Sequence, residues 1–186
     1  MDLKKYIETE VYMDKKLSFF KKFYFRYLEP STNSVFLLRK MQYYKEKSDK
    51  ASTALGRKIA FRKHQRYRIK LARRYGIYFA GNCNIGIGLK FPHPVGIIIG
   101  ANEIGENVTI YQNVTIGSAN IGDYKKHKQP LIGNDTVIFA GASVIGDISV
   151  ADHTMVAAGA VLNQSTEENS IYGGIPAKMI KKRPMQ

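Results

Sequence analysis

The sequence predicts a mainly β protein, a parallel β-helix built as a three-sided hexapeptide-repeat prism and preceded by a basic α-helical N-terminal region. Three observations carry that reading: apolar residues recur at every sixth position, glycine directly follows several of them, and the excess positive charge is confined to the N-terminal part. Phe79, Ile85, Phe91 and Ile97 form the first apolar run, and Ile98, Ile104, Ile110 and Ile116 form a second, one residue out of phase. The period resumes at Ile132, Ile138, Val144, Val150, Val156 and Leu162. On an α-helix such steps drift around the surface, whereas a coil with three short sides places every sixth residue inside a corner. A β-sandwich would show alternation of period two between regularly spaced turns, which fits only parts of the stretch. Gly86, Gly105, Gly117 and Gly133 each directly follow one of these positions, and Gly100 lies two residues after Ile98, where a sharply turning chain calls for a small residue.

The N-terminal part reads as helices separated by breakers. Of 186 residues, 44% are hydrophobic, enough for one core of ordinary size but little for two large domains. Residues 1–75 hold 21 Lys/Arg against 7 Asp/Glu, and residues 76–186 hold 8 of each, so the whole formal charge of +14 lies in the first part. That shift predicts a boundary near Gly76 and, with the apolar period, an organisation into a basic helical region (1–75), a prism (76–165) with an excursion at 118–131, and a C-terminal tail (166–186). Helices are expected over residues 17–27, stopped by Glu29-Pro30, from an N-cap at Ser34 through about Tyr44, and over residues 57–75 with Gly76 as the stop. Phe19, Phe20, Phe23, Tyr24 and Phe25 need cover from another domain or a second chain.

Composition narrows the function classes. Cys83 is the single cysteine, so no intrachain disulfide forms. No apolar run reaches the roughly 18 to 20 residues that cross a bilayer, and the opening MDLKKYIETEV lacks the apolar core of a signal peptide. These features predict a cytoplasmic protein. No His/Cys cluster suits a metal and no G-x-G-x-x-G suits a dinucleotide, so neither metal nor nicotinamide is expected.

A regular prism carries no chemistry, which directs attention to its two interruptions. One is the slip between Ile97 and Ile98, after Phe91-Pro92-His93-Pro94-Val95-Gly96, where two prolines pin the backbone around a histidine. The other is SANIGDYKKHKQPL, residues 118–131, a polar excursion between in-phase segments. His127 lies inside it among Lys125, Lys126 and Lys128. His153 and His64 have no motif around them and read as ordinary structural or surface histidines.

The motifs GLKFPHPVGIIIG, IYQNVTIG, LIGNDTVIFAGASVIGDI and GGIPAKMI, in this order from about Arg68 onward, resemble the serine acetyltransferase-like branch of hexapeptide-repeat acyltransferases. The resemblance is strongest to members of the polysaccharide and capsule O-acetyltransferase type. It implies a left-handed coil, a homotrimer, and acetyl-CoA as co-substrate. It also implies His93 as the general base that takes the acceptor's hydroxyl proton without a covalent acyl-enzyme. A histidine suits that task because its ordinary pKa near 6.5 lets it accept a proton at neutral pH. The resemblance further places the pantetheine arm along Ala140 and Ala158, the nucleotide end near Asn163 and Gln164, and the phosphates near Lys178 and Lys181.

Departures from the family pattern bear on the acceptor. Serine-specific members carry an Asp directly before the base and another acid in the strand that opens the prism; here those places hold Pro92 and Tyr78. The loop histidine that meets the serine carboxylate aligns nearer Gln129 than His127. These differences lead to the expectation of a sugar or polysaccharide-precursor acceptor, bound by His127, Gln129 and Tyr78. A serine O-acetyltransferase of cysteine biosynthesis is the alternative, and a non-catalytic binding scaffold with a basic arm is a further one. The basic N-terminal region is expected to touch an anionic inner membrane face, and no nucleic-acid partner is expected.

Overall fold

The computed structural model describes residues 2–13, 15–79 and 83–183. The chain folds as two compact units, Met1–Gly76 and Ile77–Gln186.

In the first unit, a short helix α1 (Leu3–Tyr6) continues into a π-helical turn at Ile7–Val11, followed by α2 (Phe19–Tyr27), α3 (Pro30–Asp49) and α4 (Ala54–Tyr75). Each start has a local cause. Ser18 caps α2 and Thr53 caps α4 through side-chain oxygens that accept backbone N–H groups. Helix α3 begins earlier than the sequence reading had it. Pro30, expected only to end a helix, occupies its first turn, and the Glu29 carboxylate accepts from Ser31 N at 3.2 Å and Thr32 N at 2.7 Å. A proline is tolerated there because that N–H has no helical partner anyway. Ser34, expected as the N-cap, is buried inside the helix and donates its hydroxyl to the Ser31 carbonyl at 2.6 Å. Gly76 ends α4 at φ 63°, the left-handed conformation that glycine adopts without strain. Helices α3 and α4 pack along each other. No described helix is long and apolar enough to cross a membrane.

The second unit is a left-handed parallel β-helix of three sheets. One side stacks β1 (Tyr78–Phe79), β3 (Ile98–Ile99), β6 (Thr115–Gly117), β9 (Ser143–Ile145) and β12 (Val161–Leu162). The second stacks β2 (Asn84–Ile85), β4 (Glu103–Ile104), β7 (Leu131–Ile132) and β10 (Ser149–Val150). The third stacks β5 (Thr109–Ile110), β8 (Val137–Ile138), β11 (Met155–Val156), β13 (Ser170–Gly174) and β14 (Ala177–Lys182). All pairings are parallel except β13 with β14, a closing hairpin. In the two-residue strands the second residue points inward, as side chains alternate across a strand.

One interior assignment needs correction. Ile98 faces outward at 42% exposure, and Ile97 and Ile99 are the buried pair. Ile99, not Ile98, pairs with Phe79 below and Ile116 above. Six residues separate Phe79 from Ile85 and Ile85 from Phe91, but eight separate Phe91 from Ile99. The extra residues are taken up by the segment that carries His93.

The glycines also have a sharper explanation than turning. A Cβ on Gly86 would lie 2.6 Å from the Gly105 backbone, and one on Gly133 would lie 2.7 Å from Asp152 N. At Gly86, Gly105 and Gly133 successive coils approach too closely for a side chain, whereas a Cβ on Gly117 would meet nothing within 4 Å. The left-handed corners fall elsewhere, in a column of Gly88, Asn107, Asp135, His153 and Asn169 and another of Gly96, Asn113, Gly141 and Gly159. Asn and Asp are among the few non-glycine residues that adopt this conformation readily. His153 is therefore a corner residue, and His64 Nδ1 lies 3.0 Å from the Met41 carbonyl oxygen.

Candidate active site

His93 sits on the wide turn between Phe91, fully buried, and β3. Pro94 is buried while His93 is exposed, so the prolines fix the backbone and leave the imidazole in solvent. The Val95 N–H donates to the His93 carbonyl at 2.8 Å, closing the turn. On the next coil the Tyr111 ring lies 6.1 Å from the imidazole, and on the coil after that Phe139 stacks on Tyr111 at 5.2 Å. This ring column went unnoticed in the sequence. Its signal was available, since Tyr111 and Phe139 directly follow the interior residues Ile110 and Ile138.

The same corner continues into the small residues. The Gly141 N–H donates to the Gln112 carbonyl at 3.0 Å, and the Gly159 N–H donates to the Ala140 carbonyl at 2.9 Å. Gln112, Ala140 and Ala158 thus stack on successive coils beside the ring column. Ala158 and Gly159 are exposed, and no atom lies within 4 Å of a Cβ built on Gly159. The side-chain oxygen of Gln112, another residue the sequence reading missed, is buried without a hydrogen-bond partner among the described residues.

Asn163 and Gln164 follow β12 at the top of the prism, both exposed, and the Gln164 amide donates to the Ala177 carbonyl at 3.2 Å. Lys178 and Lys181 lie on β14. In a regular strand residues three apart face opposite ways, but a bulge at Ile171/Tyr172 leaves Ile180 unpaired, with Lys178 opposite Gly173 and Lys181 opposite Ile171. The bulge returns both lysines to one face of the hairpin. Lys182 pairs with Glu167 at 2.6 Å, whereas Lys178 and Lys181 have no ion pair among the described residues.

The excursion leaves after β6 and returns at β7, with a 3-10 turn at Asp123–Lys126. His127 ends that turn at φ 55°, exposed, and its carbonyl accepts from Asn102 Nδ2 at 2.5 Å. Gln129 is buried and donates its amide to the Gly100 carbonyl at 2.8 Å, pinning the loop's base to the prism. Tyr78 is exposed on β1 and its N–H donates to the Ile97 carbonyl at 2.9 Å. Cys83 is a poor nucleophile here, because burial and then Glu103 push its thiol up to about 12. No group of three or more His, Cys, Asp or Glu suited to a metal ion occurs among the described residues.

The fold and corner geometry define a hexapeptide-type left-handed β-helix. No family model matches the sequence. The chain is 40% identical over 108 residues to a serine acetyltransferase of Helicobacter pylori, covering 58% of this chain and 62% of that protein. It is 38% identical over 107 residues to a serine acetyltransferase of Staphylococcus aureus, covering 57% and 49% respectively. It therefore spans between about half and three-fifths of the length of these curated relatives. Among solved structures, a Neisseria gonorrhoeae serine acetyltransferase matches 99% of this chain and 68% of its own at a TM-score of 0.73 and 18% identity. A Brucella abortus serine acetyltransferase in complex with coenzyme A matches 98% and 69% at a TM-score of 0.71 and 20% identity. At such identities the structural likeness is one of fold, while the sequence relatives are acetyltransferases.

These findings overturn the expectation of a sugar or polysaccharide acceptor, since the relatives carry the serine acetyltransferase name. The missing acids at Pro92 and Tyr78 carry less weight than this sequence relationship. Losing two carboxylates leaves His93 in place and names no other acceptor.

Proposed function

We propose that the chain is an acetyl-CoA-dependent serine O-acetyltransferase, with His93 as general base. The sequence relationship to serine acetyltransferases at 38–40% identity carries this reading, and the exposed histidine on a proline-fixed turn is the group suited to the chemistry. The serine hydroxyl oxygen attacks the thioester carbonyl carbon. The C–O bond forms as the C–S bond breaks, His93 takes the hydroxyl proton, and the same proton passes to the leaving thiolate. O-acetylserine and free coenzyme A result, with no acyl-enzyme.

In this reading the pantetheine arm lies along Ala140 and Ala158, and the unpaired Gln112 oxygen accepts one of its amide N–H groups. Asn163 and Gln164 meet the nucleotide end, and Lys178 and Lys181 meet its phosphates. His127 and Tyr78 face the acceptor, while Gln129 acts by holding the loop. A groove flanked by only one prism is half a site, which favours a homotrimer. A cytoplasmic setting follows from the need for acetyl-CoA, and contact of residues 1–75 with an anionic membrane face rests on their charge alone.

Purified protein should acetylate L-serine, and His93→Ala should lose about 10² to 10⁴ of kcat with coenzyme affinity nearly unchanged. His127→Ala should mainly raise the KM for serine. Absence of serine acetylation by folded, coenzyme-binding protein would sink the proposal. Turnover controlled by His127 with His93 dispensable would move the base into the loop.

A further inference from the structure

The helical unit contains a cleft of about 1120 Å³ between α2, α3 and α4 that the acetyl-transfer reading does not use. Its chemistry is one-sided. Arg62, Arg66, Lys70 and Arg74 recur every fourth residue along α4, Arg73 joins them, and Arg26 and Lys40 face them from α2 and α3. No carboxylate lines the cleft, and none of these seven cations forms an ion pair among the described residues. Like charges at such spacing repel one another, and an anion shared among them relieves that repulsion. The Lys40 ammonium already registers this, held below its ordinary range by burial and by the charges of Arg26 and Lys63.

Arg26 supplies an independent observation. Its guanidinium carbon lies 5.3 Å from the Phe36 ring centre, 5.4 Å from that of Tyr12 and 6.0 Å from that of Tyr27, so the group is held among aromatic faces. Its Nε is buried with no hydrogen-bond partner among the described residues. A buried donor left unpaired is costly, and a guanidinium fixed in this way is pre-organised for a planar pair of acceptor oxygens. The remaining lining is mostly apolar, with Phe36, Phe61, Tyr67 and Ile69 among the cations.

We propose that this cleft binds a phosphate-bearing ligand with an aromatic or apolar body, its phosphates on Arg26, Lys40 and the α4 cations and its body against the rings. Phosphate fits better than a single carboxylate, because seven cations call for a multivalent anion and guanidinium forks match phosphate oxygens. A soluble nucleotide and an anionic phospholipid headgroup share this chemistry. The inference does not depend on the acetyltransferase reading, and direct binding tests it without any turnover.

The full chain should be titrated calorimetrically with inorganic pyrophosphate and with ATP, and floated with phosphatidylcholine vesicles with and without phosphatidylglycerol. Saturable binding of ATP, about tenfold tighter than pyrophosphate because of the ring, would assign a soluble ligand. Binding confined to the phosphatidylglycerol vesicles would assign the phosphate to a lipid. In either case Arg66→Glu/Arg73→Glu, both exposed and unpaired and so compatible with folding, should weaken binding more than tenfold. Arg26→Gln should weaken it about tenfold, with helical circular dichroism retained. Lys15→Glu/Lys16→Glu, outside the cleft, should change binding less than threefold. No saturable binding of any probe would overturn the proposal, as would equal loss from the Lys15/Lys16 and Arg66/Arg73 pairs or binding indifferent to both.

Discussion

In the β-helical unit, Ile110 meets Ile138 on the next coil and Ile138 meets Val156 on the one after, so each interior residue is backed by another of its kind. In the helical unit, the largest fully buried side chain is Arg39, and its partner Glu10 is wholly buried as well. Glu10 accepts from Arg39 Nε at 2.7 Å and from a terminal nitrogen at 2.5 Å, Gln42 accepts from the other at 2.7 Å, and the Tyr6 ring lies 4.4 Å from the guanidinium. One unit is held by repetition, whereas the other adds to its apolar core buried polar contacts that do not repeat, this ion pair among them. Repetition spreads stability over equivalent layers, whereas a buried ion pair concentrates it at one point. The pair also links the N-terminal turn to α3, which no local pattern would do.

The sharpest way to break the contrast is to cut that pair. Arg39→Ala should destabilise the helical unit by about 3 to 5 kcal/mol, because it strands a buried carboxylate. Glu10→Leu/Arg39→Met should recover much of the loss, since apolar replacements of similar size often substitute for a buried pair. Urea unfolding followed by helical circular dichroism reads both. If the double variant is no better than Arg39→Ala, packing and not stranded charge explains the effect.

In the repetitive unit the comparable test is a cavity. Ile110→Ala should cost about 2 to 5 kcal/mol, with neighbours above and below too rigidly spaced to collapse onto the gap. The same substitution one coil higher, Ile138→Ala, should cost about the same amount, since its surroundings repeat. A difference of more than twofold between the two would show that the coils are not equivalent. Gly133→Ala asks a smaller question, about 1 to 3 kcal/mol, because the new methyl meets the backbone at Asp152 N and Ala151.

The same contrast decides what could be read from the sequence. A period of six repeats itself, so an interior residue is legible from its neighbours at fixed distance, and the two interruptions stand out against it. Ile98 was misplaced because the wide turn absorbs its extra residues before β3, and a period cannot say on which side of a slip the phase resumes. The face shared by Lys178 and Lys181 depends on a bulge, which spacing alone contradicts. Tyr111 and Phe139 were legible by position but not by role, since only the stacking of coils brings them towards His93. In the helical unit, Gly76 could be read because helix ends are local, whereas the Glu10–Arg39 pair and the cationic cleft join residues far apart in the chain. Net charge announced the basic region without saying that its cations converge.

The smallest effect sharpens the comparison at a place where the helical unit also obeys a local rule. Thr53 precedes α4 with extended backbone, and its hydroxyl oxygen accepts from Gly56 N at 3.1 Å, satisfying one of the four N–H groups that a helix start leaves unpaired. Thr53→Ala removes the acceptor and should cost about 1 kcal/mol. Thr53→Ser keeps it and should stay within a few tenths of the parent, since both residues are effective caps. Gly56 belongs to the same contact, because a Cβ there would come within 2.8 Å of the Thr53 hydroxyl. Gly56→Ala should therefore fall short of the roughly 1 kcal/mol gain expected of alanine inside a helix, and should recover that gain when combined with Thr53→Ala. Urea midpoints of the four proteins give the coupling directly. If Gly56→Ala stabilises equally with and without the threonine, the cap is not closed by this contact, and α4 takes its start from packing against α3 alone.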